Sequence, residues 1–266
     1  MTPYVAPPEI RVNSEIQVFH PDDRNRSSYG VAADLGQYSE LSVNHLTFRN
    51  PDSSVLRVRV HADLDGDIEE FGIPEVYVGA ANSEGQTELE IGVSHYFIDE
   101  ESQSLILSLE HELNTDDSRA VEEFIRKNTI ELIYRNGRES FKLNAEINSD
   151  GVTVYNGQMR IPVQDADWLT FVGGFRAASA DSLNYWSPEL YIYADGLIGI
   201  PVDLSESVRC LTGVTVGVAY QPTEGSVDPR LGAGVGCEYS AGDLDARLGV
   251  RAGYGVTVQG GLNYRF

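Results

Sequence analysis

The sequence predicts an all-β fold, a transmembrane antiparallel up-and-down β-barrel, from three observations. Short segments of alternating apolar and polar residues recur along the chain, aromatic residues stand near segment ends, and charges of both signs share the polar faces. Successive side chains of a strand point to opposite faces, so each segment presents one apolar and one polar surface. A membrane barrel turns apolar residues toward lipid and tolerates charge in a water-filled interior. A soluble β-sandwich is the competing prediction, because its strands alternate in the same way.

The last eleven residues show the alternation most clearly. One parity carries the apolar side chains, Val256, Val258, Leu262, Tyr264 and Phe266. The other parity carries polar ones, Thr257, Gln259, Asn263 and Arg265. This segment resembles the C-terminal signal of bacterial outer-membrane β-barrel proteins, in which a last strand ending in Phe is recognised by the barrel-assembly machinery. The resemblance implies the outer membrane of a Gram-negative bacterium, with membrane lipid and that machinery as partners.

Composition excludes several classes of function. The formal net charge is −22 and the sequence pI is about 4.4, which argues against nucleic acid as a partner, since its binders carry basic stripes. The same charge argues against electrostatic docking on an anionic membrane. No apolar run approaches the length of a transmembrane helix, and no secretory signal peptide is present, so we expect the mature form of an exported protein.

The chain divides into a predicted disordered lead-in at residues 1–8 and a single barrel domain at 9–266. Alternation is clear over 55–64 and 87–98, and Asn136-Gly137 is a strong hairpin turn signal. We expect about 14 strands, within a range of 12–16. One short loop helix is predicted within 116–127, capped by Ser118. The longest connections are 65–73, 114–128 and 180–188, and at least two of them are expected outside the cell.

The aromatic residues near strand ends predict an interfacial girdle. Such residues gather at the two membrane–water interfaces of outer-membrane barrels. The residues in question are Tyr134, Trp168, Phe171, Tyr185, Trp186, Tyr220, Tyr239, Tyr254, Tyr264 and Phe266.

The polar faces predict a charged lumen. The expected pore-lining residues are Arg57, Arg59, Glu88, Glu90, Glu110, Glu112, Glu131, Lys142, Glu146, Arg247 and Arg251. The acids lie in the middle of the chain and the arginines near its ends, so closure of a barrel would place an acidic wall opposite a basic one. Charged walls set ion preference in pores. The alternative is a closed barrel whose charges pair into a plug.

Cys210 and Cys237 are the only cysteines. If 208–220 and 227–239 form a hairpin, the register that pairs Val216 with Leu231 also pairs the two cysteines. An oxidising periplasm would permit a disulfide between them. Two free thiols aligned by chance are the alternative.

Other chemistry finds little support in the sequence. The acidic stretch 63–70 offers oxygen ligands but lacks the spacing of an EF-hand, so a solvated loop is favoured over a calcium site. Barrel hydrolases would need a Ser two residues from a His on one face. No such Ser accompanies the five histidines, His20, His45, His61, His95 and His111. We therefore expect no enzyme and no cofactor.

The predicted function is an outer-membrane channel for passive diffusion of small solutes or ions, with mild cation preference from the acidic balance. The alternative is a non-conducting barrel with a structural, adhesion or assembly role through its acidic loops.

Overall fold

The computed structural model describes residues 9–19, 25–36, 39–49, 53–63, 74–99, 103–164, 166–205, 207–253 and 255–265. These residues form a closed antiparallel barrel in which each strand pairs with its neighbours in sequence and β1 pairs with β16. The strands are β1 Glu9–Phe19, β2 Asn25–Gly36, β3 Ser39–Arg49, β4 Ser53–Asp63, β5 Pro74–Ser83, β6 Gln86–Asp99, β7 Gln103–Leu113, β8 Arg126–Asn136, β9 Glu139–Asn148, β10 Thr153–Val163, β11 Ala166–Ala178, β12 Tyr191–Ser205, β13 Val208–Gln221, β14 Ser226–Ala241, β15 Leu244–Ala252 and β16 Gly255–Arg265.

The predicted fold class is confirmed, but the described chain has 16 strands rather than about 14. Strand β5 shows why sequence alternation undercounts. Its inner face carries Tyr77, Gly79 and Ala81, whose partners across β4 include Arg57 and Arg59. Its outer face carries Val76, Val78 and Ala80. Both faces are therefore partly apolar, and the two-residue period is weak.

Two ends of the barrel follow from the up-and-down order. The terminal end carries the start of β1 at Glu9 and the end of β16 at Arg265. The opposite end, here called the helix end, carries the connections 84–85, 114–125, 149–152, 179–190 and 222–225. Both long connections with described structure, 114–125 and 179–190, thus lie at the same end.

The outer surface is apolar along the strands. Leu56, Val58 and Val60 of β4 are exposed, and so are Val216 and Val218 of β13. In a closed barrel with a polar interior, this exposed apolar face is the one that lipid covers. Among the described residues, no helix is long and apolar enough to cross a membrane.

Helix α1, Ser118–Glu122, is shorter than the predicted 116–127. Asp117, and not Ser118, is its N-cap, with the Asp117 carboxylate accepting a hydrogen bond from the Arg119 amide at 3.0 Å. The helix ends because Phe124 adopts a positive φ of 53° and the Ile125 amide then bonds back to the Ala120 carbonyl at 2.8 Å. The following residues continue as β8.

The hairpin β13–β14 has the expected register, with Val216 opposite Leu231 and Cys210 opposite Cys237. The two cysteines form a disulfide. Cys210 shares the parity of Val214 and Val216, so the bridge belongs to the outer face of the barrel.

Candidate functional site in the barrel interior

Alternation along β4 sends its charged side chains into the barrel. Leu56, Val58 and Val60 are exposed on the outside, so Arg57 and Arg59 lie on the inner face. Both guanidinium groups are largely buried, with side chains only 11% and 15% exposed. Burial of two like charges requires paired carboxylates nearby.

Those carboxylates come from β6 and β7. Glu90 is fully buried, with its Oε2 2.9 Å from both Arg57 Nε and Arg59 Nε. Glu112 Oε2 lies 2.5 Å from Arg59 Nη2, and its other oxygen lies 3.4 Å from Lys127 Nζ. We call Arg57, Arg59, Glu90, Glu112 and Lys127 the central ion-pair network.

The expectation of an acidic wall facing a basic wall is wrong for this region. Arg59, Gly79 and Glu90 occupy one row across β4, β5 and β6, so opposite charges are near neighbours. A Cβ at Gly79 would lie 2.6 Å from Arg59 Cγ and 2.4 Å from the Val58 carbonyl. The glycine therefore lets the arginine cross an entire strand to reach its partner.

Two further predicted residues, Glu131 and Glu88, are also paired with neighbours. Glu131 pairs with Lys142, and Glu88 lies 2.9 Å from His111 Nε2. Glu110 is half-buried opposite Gly92 and Thr129.

Glu146 of β9 lies deeper than these pairs. Its Oε1 accepts from Asn156 Nδ2 at 2.9 Å. Its Oε2 is buried without a hydrogen-bond partner among the described groups, 3.9 Å from Arg176 Nη2.

Helix α1 folds into the mouth at the helix end. Val121 packs against inner side chains of the wall formed by β3, β4, β5 and β7, namely Leu46, Phe48, Val55, Ala81 and Leu113. On its other side Ala120 packs with Ile125, Val152, Val154 and Tyr185. The Asn114 amide group donates to Asn148 Oδ1 at 2.9 Å and fixes the start of the connection. The helix thus occupies the part of the mouth bounded by β3 to β10.

Cavities remain in the part of the interior that α1 does not occupy. One of about 690 Å³ is lined by residues of β1 to β3 and β12 to β16, including Arg209, Glu238 and Arg247. Another, of about 320 Å³, is lined by Asp195 and Arg251 among others. Arg247 also donates to Asn13 Oδ1 at 3.1 Å, across Gly261.

The sequence reasoning missed a second glycine-spaced charge pair. Asp195, Gly217 and Arg230 form one row across β12, β13 and β14, and Arg230 Nε lies 2.9 Å from Asp195 Oδ1. Arg230 Nη1 also donates to the Tyr191 hydroxyl at 2.7 Å. An inner-face glycine flanked in register by opposite charges is the signal, and it becomes visible only when strand registers are known.

Tyr185 and Trp186 are not part of a lipid-facing girdle, contrary to the sequence prediction. Tyr185 is buried in the inner cluster at Ala120, and its hydroxyl donates to Asp150 Oδ1 at 3.0 Å. Burial, together with the charge and hydrogen bond of Asp150, raises the pKa of the Tyr185 phenol well above its usual range. Trp186 packs edge-on against the inner residue Tyr191, with ring centroids 4.9 Å apart.

The rim of the helix end is acidic. Its described connections carry the carboxylates Glu84, Asp116, Asp117, Glu122, Glu123, Asp150, Asp181, Glu189 and Glu224, most of them exposed. Arg119 is the one basic residue of these described connections, so the rim carries a large excess of negative charge. Such an excess around a mouth raises the local concentration of counter-ions.

Several predicted features fall outside the described residues. They are the lead-in at 1–8, the connection 65–73 with residues 64–70 of the acidic stretch, His20, Tyr254 and Phe266. Among the described residues, no group of three or more His, Cys, Asp or Glu side chains is placed to hold a metal ion.

Comparison with known proteins shows the fold and no closer kinship. No protein-family model matches the sequence, and no curated protein matches it. A solved structure described as "Bacterial polysaccharide outer membrane secretin" superposes with a TM-score of 0.76 at 12% identity, covering 98% of this chain and 99% of that one.

CdiB from Acinetobacter baumannii gives a TM-score of 0.57 at 9% identity, with 97% of this chain and 60% of that chain covered. CdiB from Escherichia coli gives 0.51 at 10% identity, with 98% and 63% covered. This chain therefore spans less than two thirds of the CdiB structures. The fold shared with these structures confirms the predicted up-and-down β-barrel, and the apolar outer face is that of a barrel surrounded by lipid.

Proposed function

We propose that this chain forms an outer-membrane channel through which small polar solutes and ions diffuse passively, with a mild preference for cations. The observation that supports this proposal is the position of the cavities. They lie on the β10 to β3 side of the interior, where polar and charged side chains line space that the two clusters around α1 leave open. The opposite side is filled by the two apolar clusters and by the central ion-pair network.

In this proposal the predicted pore-lining residues have two roles. Arg247 and Arg251 line the path directly. Arg57, Arg59, Glu90 and Glu112 form a rigid and nearly neutral wall, because each charge is balanced within the network. Glu88, Glu110, Glu131, Lys142 and Glu146 belong to the same side.

The cation preference comes mainly from the rim of the helix end. Asp181, Glu189 and Glu224 line a cleft of about 740 Å³ at that mouth, whereas the inner cavities carry Arg209, Arg247 and Arg251. The acidic rim attracts cations and the inner arginines oppose them, so the net preference is mild.

Planar-bilayer recording across a salt gradient tests this proposal. The wild-type protein is expected to show stepwise conductance with a reversal potential of cationic sign. Neutralising the rim with Asp181→Asn, Glu189→Gln and Glu224→Gln should move that potential toward zero, and Arg251→Gln should move it further toward cations. A reversal potential of anionic sign, or one that neither variant shifts, would contradict the assignment.

A non-conducting barrel with a structural, adhesion or assembly role is the second candidate. The observation that favours it is the seating of α1 in the mouth, with Ala120 fully buried and Val121 almost so. Protein that folds and inserts but shows no current, with or without the 114–125 connection, would favour this candidate.

We also propose that the barrel-assembly machinery recognises β16. Its outer residues Val256, Val258, Leu262 and Tyr264 are exposed, and β16 pairs with β1 to close the barrel. Replacing Tyr264 and Phe266 by Ser should lower the amount of heat-modifiable barrel in outer membranes. Unchanged assembly would argue against recognition through this strand.

A further inference from the structure

Three aromatic rings follow one another from the mouth into the barrel along the connection 179–190 and β12. Trp186 and Tyr191 have ring centroids 4.9 Å apart, and Tyr191 and Tyr193 have centroids 6.1 Å apart. We call these three residues the aromatic strip. Ile192, between the two tyrosines, is exposed on the outer face, so both tyrosines lie on the inner face. The strip therefore faces the interior and cannot serve as a lipid anchor.

Planar polar groups surround the strip and are held in place. Gln158 Nε2 donates to the Tyr193 hydroxyl at 2.8 Å across Gly174. The Arg230 guanidinium lies 4.7 Å from the Tyr193 ring centroid while it pairs with Asp195. The Arg176 guanidinium lies 5.6 Å from the Trp186 ring and donates to the Trp186 carbonyl at 3.1 Å. Rings and polar groups are thus preorganised as one surface.

The strip also connects two open spaces. Trp186 lines the cleft of about 740 Å³ at the helix end. Tyr193, with Gln158, Asp195 and Arg230, lines the inner cavity of about 320 Å³. A ligand that follows the strip passes from the mouth to the interior while remaining in contact with aromatic carbon and with side-chain amide, carboxylate and guanidinium groups.

We propose that the aromatic strip binds an extended, uncharged carbohydrate chain. A pyranose ring has an apolar C–H face that packs on an aromatic ring and a belt of hydroxyls that pair with planar amide, carboxylate and guanidinium groups. The spacing of successive rings is comparable to the length of one pyranose unit. Asp195 balances Arg230, and the carboxylates of the cleft that Trp186 lines, Asp181, Glu189 and Glu224, repel an acidic sugar, so a neutral sugar is favoured. This inference names a substrate class for the proposed channel, and the role of the strip as a transport path rests on that proposed function.

Fluorescence titration in detergent tests the binding without requiring any current. The chain has two tryptophans, so Trp168→Phe leaves Trp186 as the only tryptophan reporter. Maltohexaose or chitohexaose should change its emission saturably, and a hexameric alginate should bind more weakly. Tyr191→Ala and Tyr193→Ala should each weaken binding about tenfold. The matched control is Tyr155→Ala, an exposed outer-face tyrosine of β10, which should leave binding unchanged.

Calorimetric titration with the same sugars covers a binding mode that leaves the indole emission unaltered. If neither neutral hexasaccharide binds in either measurement, the proposal is overturned. A loss of sugar affinity in Tyr155→Ala equal to that in the strip variants would also overturn it. Tighter binding of the alginate would overturn the assignment to uncharged sugars. A barrel that binds sugar but never conducts would refute the channel and leave the strip intact. A barrel that conducts but has no affinity for either sugar would refute sugar binding by the strip and leave the channel proposal intact.

Discussion

Glu90→Gln isolates the contribution of charge in the central ion-pair network. Glu90 is fully buried, and its carboxylate contacts both Arg57 and Arg59 and accepts from the Leu113 amide at 3.2 Å. Glutamine keeps the shape and can still accept from the Leu113 amide, but it leaves two buried guanidinium groups to share Glu112. Removing one partner of a buried ion pair costs about 3–5 kcal/mol. Because Glu112 stays near both arginines, we expect the low end, about 3 kcal/mol.

The assay is equilibrium unfolding by urea in phospholipid vesicles, followed by tryptophan emission. Asp203→Asn is the matched control, because Asp203 pairs with Arg209 at 3.4 Å and both side chains are largely exposed to solvent. Exposed pairs contribute about 0–1 kcal/mol, so the control should change the unfolding free energy little. Adding Arg59→Gln to Glu90→Gln should recover part of the loss, since it removes one uncompensated charge. A loss for Glu90→Gln no larger than for the control would refute the argument.

Three further predictions concern close packing and burial. Gly217→Ala should lower barrel stability, because the new Cβ would lie 2.1 Å from Asp195 Oδ1 and 2.3 Å from a backbone carbonyl; an unchanged urea midpoint would contradict this. Val121→Ala should weaken the seating of α1 by about 2 kcal/mol through lost buried methyl groups, measured as faster trypsin cleavage within 114–125, and equal cleavage would contradict it. The Tyr185 phenol has a raised pKa in the folded state, so the folded state retains its proton as the unfolded state loses it near its ordinary pKa of 10.0. The free energy of unfolding should therefore keep its full value below that pH and decrease above it. Tyr185→Phe should make this decrease smaller, and an identical pH profile for the variant would contradict the assignment.

Alternation predicted the barrel because the two-residue spacing of lipid-facing side chains can be read from each strand without knowing its partners. Val58 and Val60 are outer residues whatever β4 pairs with. Alternation alone did not give the number of strands, because the inner face of a strand such as β5 mixes Tyr77 with glycine and alanine. The hairpin register at Val216 was predicted correctly because its short turn limits the alternatives.

The arrangement of charges inside the barrel could not be predicted from sequence order. Arg59 and Glu90 are 31 positions apart, and only the two registers on either side of Gly79 bring them together. The seating of α1 depends on inner residues from separate strands, Leu46 and Val154 among them. The tryptophan at 186 was assigned to a lipid girdle because a strand-end position does not reveal which face a loop residue turns to.

Thiol labelling on β13 in proteoliposomes tests most directly whether the barrel spans a membrane around a water-filled interior. Thr215 lines the inner cavity of about 320 Å³, and its neighbour Val216 is exposed on the outer face. Thr215→Cys should react with a membrane-impermeant, water-soluble thiol reagent, while Val216→Cys should react only with a lipid-soluble one; the native disulfide contributes no free thiol. Equal labelling of both positions by the water-soluble reagent, or protection of Thr215→Cys alone, would contradict the account.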